Sequence, residues 1–526
     1  MSDPTARIRE LEDEIARRDN TILMQQNSID ELKRQVDNLT ELILKMRHDK
    51  FGSSSEKTVK SDDGNQICLF NEVEIEADHT AVEPFKANAK GKVSARKKRV
   101  RREQIIGELP VEEIILSLDD DERSCDICSS TLKPIGREYV REELQYIPSQ
   151  LKIIRYVRES YECPKCKHTD KPYIIKTLAP TSLMNHSLAS PSSVAYVMYQ
   201  KYVQGVPLYR QEKDWVRMGI SLSRATMANW VIRCSEDYFS PVIDHLKKRL
   251  LQKDIIHVDE TRVQVLKEDG KKPQAKSWIW LYRTGSECNE PIILYDYQPS
   301  RSGRNAADFL ESFSGYAHSD GYSGYNRLAG VTRCGCWAHL RRKFIEALPE
   351  KKAEGMGLTD SEIGVDYCNK LFAIEDDLKD LSPEDRYIKR LELEKPVLEA
   401  FWSWLDKVVP LKGTSLAKAV IYAQNQKPYM ENYLLDGRLS ISNNLAENAI
   451  RPFVIGRKNW LFADTPKGAD ASAAVYSVIE TAKANGLDAF NYLQMLLANM
   501  TDWDHTDEYL EDLMPWSEFS QSQCKR

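Results

Sequence analysis

A chain of 526 residues with a formal net charge of −6, 41% hydrophobic and 29% charged residues has the make-up of a soluble protein of about three or four domains. Eleven cysteines in this length exclude a disulfide scaffold and point to metal where they are paired. No apolar run is long enough to span a membrane and the N-terminus lacks a signal-peptide pattern, so a cytoplasmic protein with no membrane partner is expected, its phosphate binding left to local basic patches.

The first predicted element, residues 1–50, repeats every seven residues at Ile8, Ile15, Ile22, Ile29, Val36 and Ile43, with Leu11, Leu32, Leu39 and Met46 at the alternate spacing and Arg18 and Gln25 as polar interruptions. β-Branched residues at one seam position and mostly Leu at the other favour a parallel two-stranded coiled coil, hence a homodimer or higher oligomer; the competing reading is one amphipathic helix lying on the protein's own body. Residues 51–104 lose all period after FGSSSEK and end in ARKKRVRR, where Arg96, Lys97, Lys98, Arg99, Arg101 and Arg102 are basic. A flexible linker ending in a cationic segment is expected, either in contact with the DNA backbone or simply solvated.

Residues 105–180 contain CDIC and CPKC. Cys125, Cys128, Cys163 and Cys166 are what one structural, tetrahedral zinc ion needs. The alternating runs EELQYI and LKIIRYVRESYE, separated by Pro148, predict a zinc ribbon with a long hairpin between its knuckles. Residues 181–250 read as helices: SPSSVAYVMYQKYV, then YRQEKDWVRMG ending at Gly219, then ISLSRATMANWVIRC. Helix, glycine turn, helix is the outline of a helix-turn-helix, in which Ser223, Arg224, Thr226 and Asn229 face a groove, and equally of a plain αα-hairpin.

Over residues 251–355 the pattern becomes strand-rich. IIHVDETRVQVL, SWIWLYR and PIILYDY predict three strands, NAADFLESF a short helix, AHSDGYSGYNRL a fourth strand, and CGCWAHLRRKF a strand running into a basic helix. That is the early order of a ribonuclease-H-like fold, in which the first and fourth strands adjoin at the sheet centre and Asp259 and Asp320 would point at a common spot. Two carboxylates there repel unless a divalent cation sits between them, and a third completes a two-metal site. Strand alternation sends Glu260 to the face opposite Asp259, where a solvated acid is expected. Cys334, Cys336 and His339 read as core packing rather than a second metal site, and Trp337 and Trp460 as core aromatics. Residues 356–435 form a helical insertion. Residues 436–495 return to the strand-rich region's core with a helix capped by Ser442 or Asn443, carrying Glu447 in its first turns; an i,i+4 ion pair with Arg451 is its structural alternative. Arg341, Arg342, Lys343, Arg457 and Lys458 offer cations to phosphates. Residues 496–526 read as a C-terminal tail.

HVDETRVQVL, SDGYSGYNRL, CWAHLRRKF, NNLAENAIRPFVIGRKNWLFA, KMRHDKFGSSSEK, GVPLYRQE, LSRATMANWV and YSVIETAKANGLD, with the zipper and the C-x-x-C pairs, together resemble the signature blocks of transposases of the insertion sequence 66 family. The resemblance runs in order along nearly the whole chain. It implies a multidomain α/β protein with a coiled coil, a zinc ribbon, a helix-turn-helix and a ribonuclease-H-like catalytic domain with a helical insertion. It implies a DDE transposase whose triad is Asp259, Asp320 and Glu447. Two Mg²⁺ or Mn²⁺ ions, about 3.5–4 Å apart in such sites, activate an oxygen nucleophile and hold the departing 3′-oxygen. The implied partners are the terminal inverted repeats of the element, target DNA, and small companion proteins of the same element. A catalytically inactive DNA-binding protein of transposase origin and a ribonuclease-H-like nuclease of another kind are the competing functions.

Overall fold

The computed structural model describes residues 179–349 and 357–525, with parts of 14–28 and of 151–176. The zinc-ribbon cysteines Cys125, Cys128, Cys163 and Cys166, the basic segment 96–102 and most of the heptads lie outside the described residues. Those described between 14 and 28 are helical, and the seam residues Ile15 and Ile22 are exposed on the single chain. Of the strand expected over 151–162, only β1 (Ser160–Glu162) forms, paired antiparallel with β2 (Ile174–Lys176). Residues 151–157 have no regular structure. An alternating run becomes a strand only where a partner supplies a ladder, and β2 supplies three pairs.

Several helices begin where a side chain satisfies their first N–H groups. Helix α1 (Pro191–Tyr202) starts with a capping box between Ser190 and Ser193 and with Pro191 in its first turn. Helix α2 (Leu208–Arg217) and helix α3 (Arg224–Cys234) are joined through Gly219, whose φ of +98° a side chain would strain. Ser223 caps α3 by accepting the Thr226 N–H at 3.1 Å. After a π-type turn at Ser235–Phe239, α4 (Ser240–Leu250) leads into the sheet.

The sheet has five strands: β3 (Ile255–Gln264), β4 (Lys276–Thr284), β5 (Ile293–Gln298), β6 (Gly315–His318) and β7 (Val331–Cys334), in the order β5-β4-β3-β6-β7. The first three form an antiparallel meander; β6 and β7 run parallel to β3. The first and fourth strands are thus neighbours at the centre, as expected. A short helix α5 (Gly303–Phe309) lies between β5 and β6, and α6 (Trp337–Ile345) follows β7.

Four helices, α7 (Asp360–Leu378), α8 (Pro383–Leu393), α9 (Lys395–Leu405) and α10 (Ser415–Met430), intervene before α11 (Asn444–Trp460) and α12 (Pro466–Ala484). They bury Leu371, Phe401, Leu405 and Val420 with Trp337 and Phe344 of α6 in one apolar cluster. A larger cluster joins α1–α4, the meander, α11 and α12, so residues 181–250 share their core with the sheet. Helix α12 also protects the edge of the sheet: Ser477 accepts the Tyr295 N–H at 2.8 Å and Thr481 the Ile293 N–H at 3.0 Å, pairing donors that β5 would otherwise leave open. The expected C-terminal tail is folded. Helix α13 (Ala489–Asn499) packs on α1, and α14 (Asp507–Asp512) and α15 (Glu518–Cys524) follow, with Leu510, Leu513, Met514 and Cys524 buried. Among the described residues no helix is long and apolar enough to cross a membrane.

Gly456 of α11 lies against Tyr476 of α12, and a Cβ there would overlap the Tyr476 hydroxyl and the Trp460 ring. Overpacking of this kind costs about 1–3 kcal/mol, against a helical gain of roughly 1 kcal/mol for Ala over Gly. Gly456→Ala is therefore expected to lower stability in urea unfolding by on the order of 1 kcal/mol. The Tyr476 hydroxyl has no hydrogen-bond partner, so adding Tyr476→Phe should restore part of the loss.

Candidate active site

The site begins with parallel register. His257 on β3 stands opposite His318 on β6, and their rings stack with centroids 4.3 Å apart at 12°. Two residues further along, each strand carries an acid: Asp259 within β3, and Asp320 just past the end of β6. His257 and Asp259 share a face because strand side chains alternate.

Helix α11 brings the third acid, and Asn443 seats the helix. Asn443 stands at the N-cap position, yet its side chain does not cap. It donates instead to the Val258 carbonyl at 2.8 Å, while its own carbonyl oxygen meets His257 Nδ1 at 3.0 Å. That orientation puts the imidazole proton on Nδ1. The Asn443 main-chain N–H donates to Cys336 Sγ at 3.2 Å. One buried asparagine thus ties the start of the Glu447 helix, through its side chain, to the two residues preceding Asp259 and, through its main-chain N–H, to the start of α6. Burial pushes His257 down to about 3 and His318 well below its usual range, so both rings are neutral.

Asp259 accepts the Glu260 N–H at 2.8 Å. Its carboxyl is pushed up to about 8, first by burial and then by the charges of Glu260, Asp320 and Glu447. Asp320 Oδ1 accepts the Tyr322 N–H at 2.9 Å in a tight turn. The buried Arg333 holds that turn: it donates to the Asp320 carbonyl, to Ser319 Oγ at 2.7 Å, and to Gln426 of α10 at 2.5 Å. Glu447 divides its oxygens: Oε2 lies 3.2 Å from an Arg342 nitrogen, and Oε1 lies 3.4 Å from His339 Nδ1. These contacts hold Glu447 in place of the alternative i,i+4 pair with Arg451.

Two further expectations are corrected. Glu260 is not a solvated acid: it is 9% exposed, and it accepts from the Tyr325 hydroxyl and from Arg301 Nε at 2.8 Å. Arg301 in turn lies over the Trp278 and Tyr322 rings. The second face of β3 is covered by the Ser323–Arg327 turn and the loop before α5, which alternation alone does not reveal. Burial and Asp320 raise the Glu260 pKa, opposed by Tyr325 and Arg301. Cys334 and Cys336 are core residues as expected, but His339 is half-buried and faces Glu447.

Of the cations expected at phosphates, Arg342 is engaged by Glu447, Arg341 donates to Asn369 at 2.6 Å, and Arg457 donates to the Arg262 carbonyl. Arg224, Asn229 and Lys458 are exposed. Asn443, the two histidines, Arg333 and Arg301 were not singled out as site residues. A signal existed for the histidines: His257-Val258-Asp259 and His318-Ser319-Asp320 repeat the same spacing.

An oxygen-only set of three acids fits Mg²⁺ or Mn²⁺. The raised Asp259 carboxyl and the unpartnered Glu447 Oε1 fit a missing positive charge. The three carboxylates do not all lie within 4.8 Å of one another; among the described residues the group that does is Cys336, His339 and Glu447. Two ions about 3.5–4 Å apart do not require the outer ligands to touch.

Comparison with known proteins gives four family matches. The model for "Transposase IS66 family" matches residues 186–471. Those for the zinc-finger binding domain of transposase IS66, the IS66 C-terminal element and "Transposase C of IS166 homeodomain" match 122–167, 477–516 and 38–114. Two similar proteins are the uncharacterized proteins y4qI and y4hP of Sinorhizobium fredii, each 28% identical. They align over 92% and 90% of this chain and over 89% and 87% of their own lengths.

Two outcomes follow from the geometry. Asn443→Ala leaves the His257 N–H and the Val258 carbonyl buried without partners, at about 1–3 kcal/mol each; urea unfolding should show a loss of that order, and an unchanged midpoint would contradict the brace. The folded Asp259 carboxyl keeps its proton up to about pH 8, whereas the ordinary value for an aspartate carboxyl is 3.8. The folded state therefore binds more protons across that window, and metal-free stability falls as pH rises through it. Asp259→Asn should flatten this fall and raise Tm at the alkaline end in thermal unfolding without divalent ions, by roughly 2–4 °C per kcal/mol recovered.

Proposed function

The chain belongs to the transposase IS66 family, and from that premise we propose that it is a DDE transposase that cleaves DNA at the ends of an insertion element and joins the freed 3′-hydroxyls to target DNA. The observation that carries this reading is the meeting of elements at β3: Asp259 lies within β3, Asp320 lies just past the end of its parallel neighbour β6, and Asn443 fastens the Glu447 helix beside Asp259. The strand order, with four helices inserted before the Glu447 helix, supports a ribonuclease-H-like catalytic domain.

Asp259, Asp320 and Glu447 are the proposed ligands of Mg²⁺ or Mn²⁺, which when bound supplies Lewis-acid activation of the oxygen nucleophile and stabilisation of the leaving oxygen. The protein's own part is to crowd acids that repel until a cation arrives. The neutral His257–His318 stack supports both aspartates without adding a positive charge that would compete with the ion. Arg333 fixes the Asp320 turn, and Arg342 holds one oxygen of Glu447. Arg96, Lys97, Lys98, Arg99, Arg101, Arg102, Arg224, Asn229, Arg341, Arg342, Arg457 and Lys458 are the proposed DNA contacts. Cys125, Cys128, Cys163 and Cys166 are proposed to hold one structural zinc ion, and the N-terminal heptads to join two copies.

Purified protein, Mg²⁺ and DNA carrying the element's own ends test the reading. Wild type should nick and join the ends. Asp259→Asn should lose cleavage by on the order of a thousandfold or more while keeping its DNA binding. Full cleavage by Asp259→Asn would sink the triad; no cleavage by either protein, with DNA still bound, would favour a catalytically inactive DNA-binding protein.

A further inference from the structure

Cys336, His339 and Glu447 converge on one point, and two of them have no role in the chemistry proposed above. Cys336 stands at the N-cap of α6, and His339 follows three residues later, one helical turn on. Glu447 comes from the first turn of α11. One ligand atom from each residue lies within 4.8 Å of the other two. His339 Nδ1 and Glu447 Oε1 are 3.4 Å apart, and neither of these buried atoms has a hydrogen-bond partner. The other carboxylate oxygen is already matched to Arg342, so Oε1 is the one left without a partner. The sulfur is aimed by the Asn443 N–H at 3.2 Å.

This donor set differs in kind from the acidic triad. A thiolate, an imidazole and one carboxylate oxygen suit zinc, which takes three protein ligands and leaves a fourth position open to water. Magnesium prefers oxygen alone. Tetrahedral bonds of about 2.0–2.3 Å place ligand atoms roughly 3.3–3.8 Å apart. The His339–Glu447 separation already meets that spacing, and a small side-chain rotation would bring Cys336 in. The side chains of His339 and Glu447 are each 23% exposed, which leaves an entry for the ion.

We propose that Cys336, His339 and Glu447 form a binding site for a thiophilic divalent cation of the zinc class, and that its occupancy withdraws Glu447 from the acidic cluster and suppresses cleavage. On binding, the Cys336 thiol releases its proton to solvent, and His339 Nδ1 and Glu447 Oε1 give lone pairs to the ion. The suppression rests on the transposase reading of Glu447; the binding does not.

The test compares zinc uptake by the full-length wild type with that of Cys336→Ser and His339→Ala, so that any ion held elsewhere cancels. Wild type should take up one more equivalent of zinc than either variant. Cobalt loading should give a thiolate-to-metal absorption that Cys336→Ser reduces. Asp259→Asn, which leaves all three ligands in place, should bind as wild type does. Added zinc should inhibit Mg²⁺-dependent cleavage by wild type but not by Cys336→Ser. Equal uptake by wild type and both variants overturns the site whatever the activity shows. An extra ion without any effect on active wild type overturns the suppression. If no preparation cleaves DNA, uptake still decides the site, and the failure lies with the transposase reading.

Discussion

A single buried side chain fixes where the helix carrying Glu447 meets the strand carrying Asp259. Asn443 spends both ends of its amide on β3, on the Val258 carbonyl and on His257 Nδ1. These partners lie 185 and 186 positions away in the chain, so the contact is a tertiary lock rather than a helix cap. The four-helix insertion separates the two segments in sequence, and the asparagine restores their proximity in space. Parallel pairing of β3 with β6 brings the end of β6 alongside, and Arg333 holds the turn that carries Asp320 there.

The polar groups around this lock are arranged by charge. Two imidazoles are buried neutral beneath the acids, and the cations Arg301 and Arg333 serve the neighbouring Glu260 and the Asp320 main chain rather than the carboxylate of Asp259. The acids are consequently left crowded, with Asp259 pushed up to about 8 by burial and by its neighbours. Such crowding opposes folding in the absence of a cation and favours binding in its presence, the usual exchange of stability for function at a site. Arg342 tempers it on the exposed side, where one ion pair holds Glu447 at modest energetic worth.

Much of this was legible in the sequence, and the gaps have physical causes. Alternation over 255–264 marked a central strand and separated Asp259 from Glu260. Alternation cannot say whether a strand's second face is covered, so the burial of Glu260 under Tyr325 and Arg301 was missed. Asn443 was legible only as a cap, because the local chemistry of a cap and of a long-range brace is the same amide. Residues 151–157 carried a strand pattern without a partner, and the pattern alone did not suffice. The last thirty residues looked like a tail because their helices are short, although Leu510, Leu513 and Met514 already had the apolar content of a packed element. The repeated His-x-Asp spacing was present throughout and became meaningful only once two parallel strands stood side by side.

The most direct test is anomalous diffraction from crystals of the protein grown with Mn²⁺, which reveals where the ion sits independently of any activity. Manganese density in contact with Asp259 and with at least one of Asp320 and Glu447 is the expected result. Well-diffracting crystals holding manganese elsewhere, with none against Asp259, would contradict a metal centre built on these three acids.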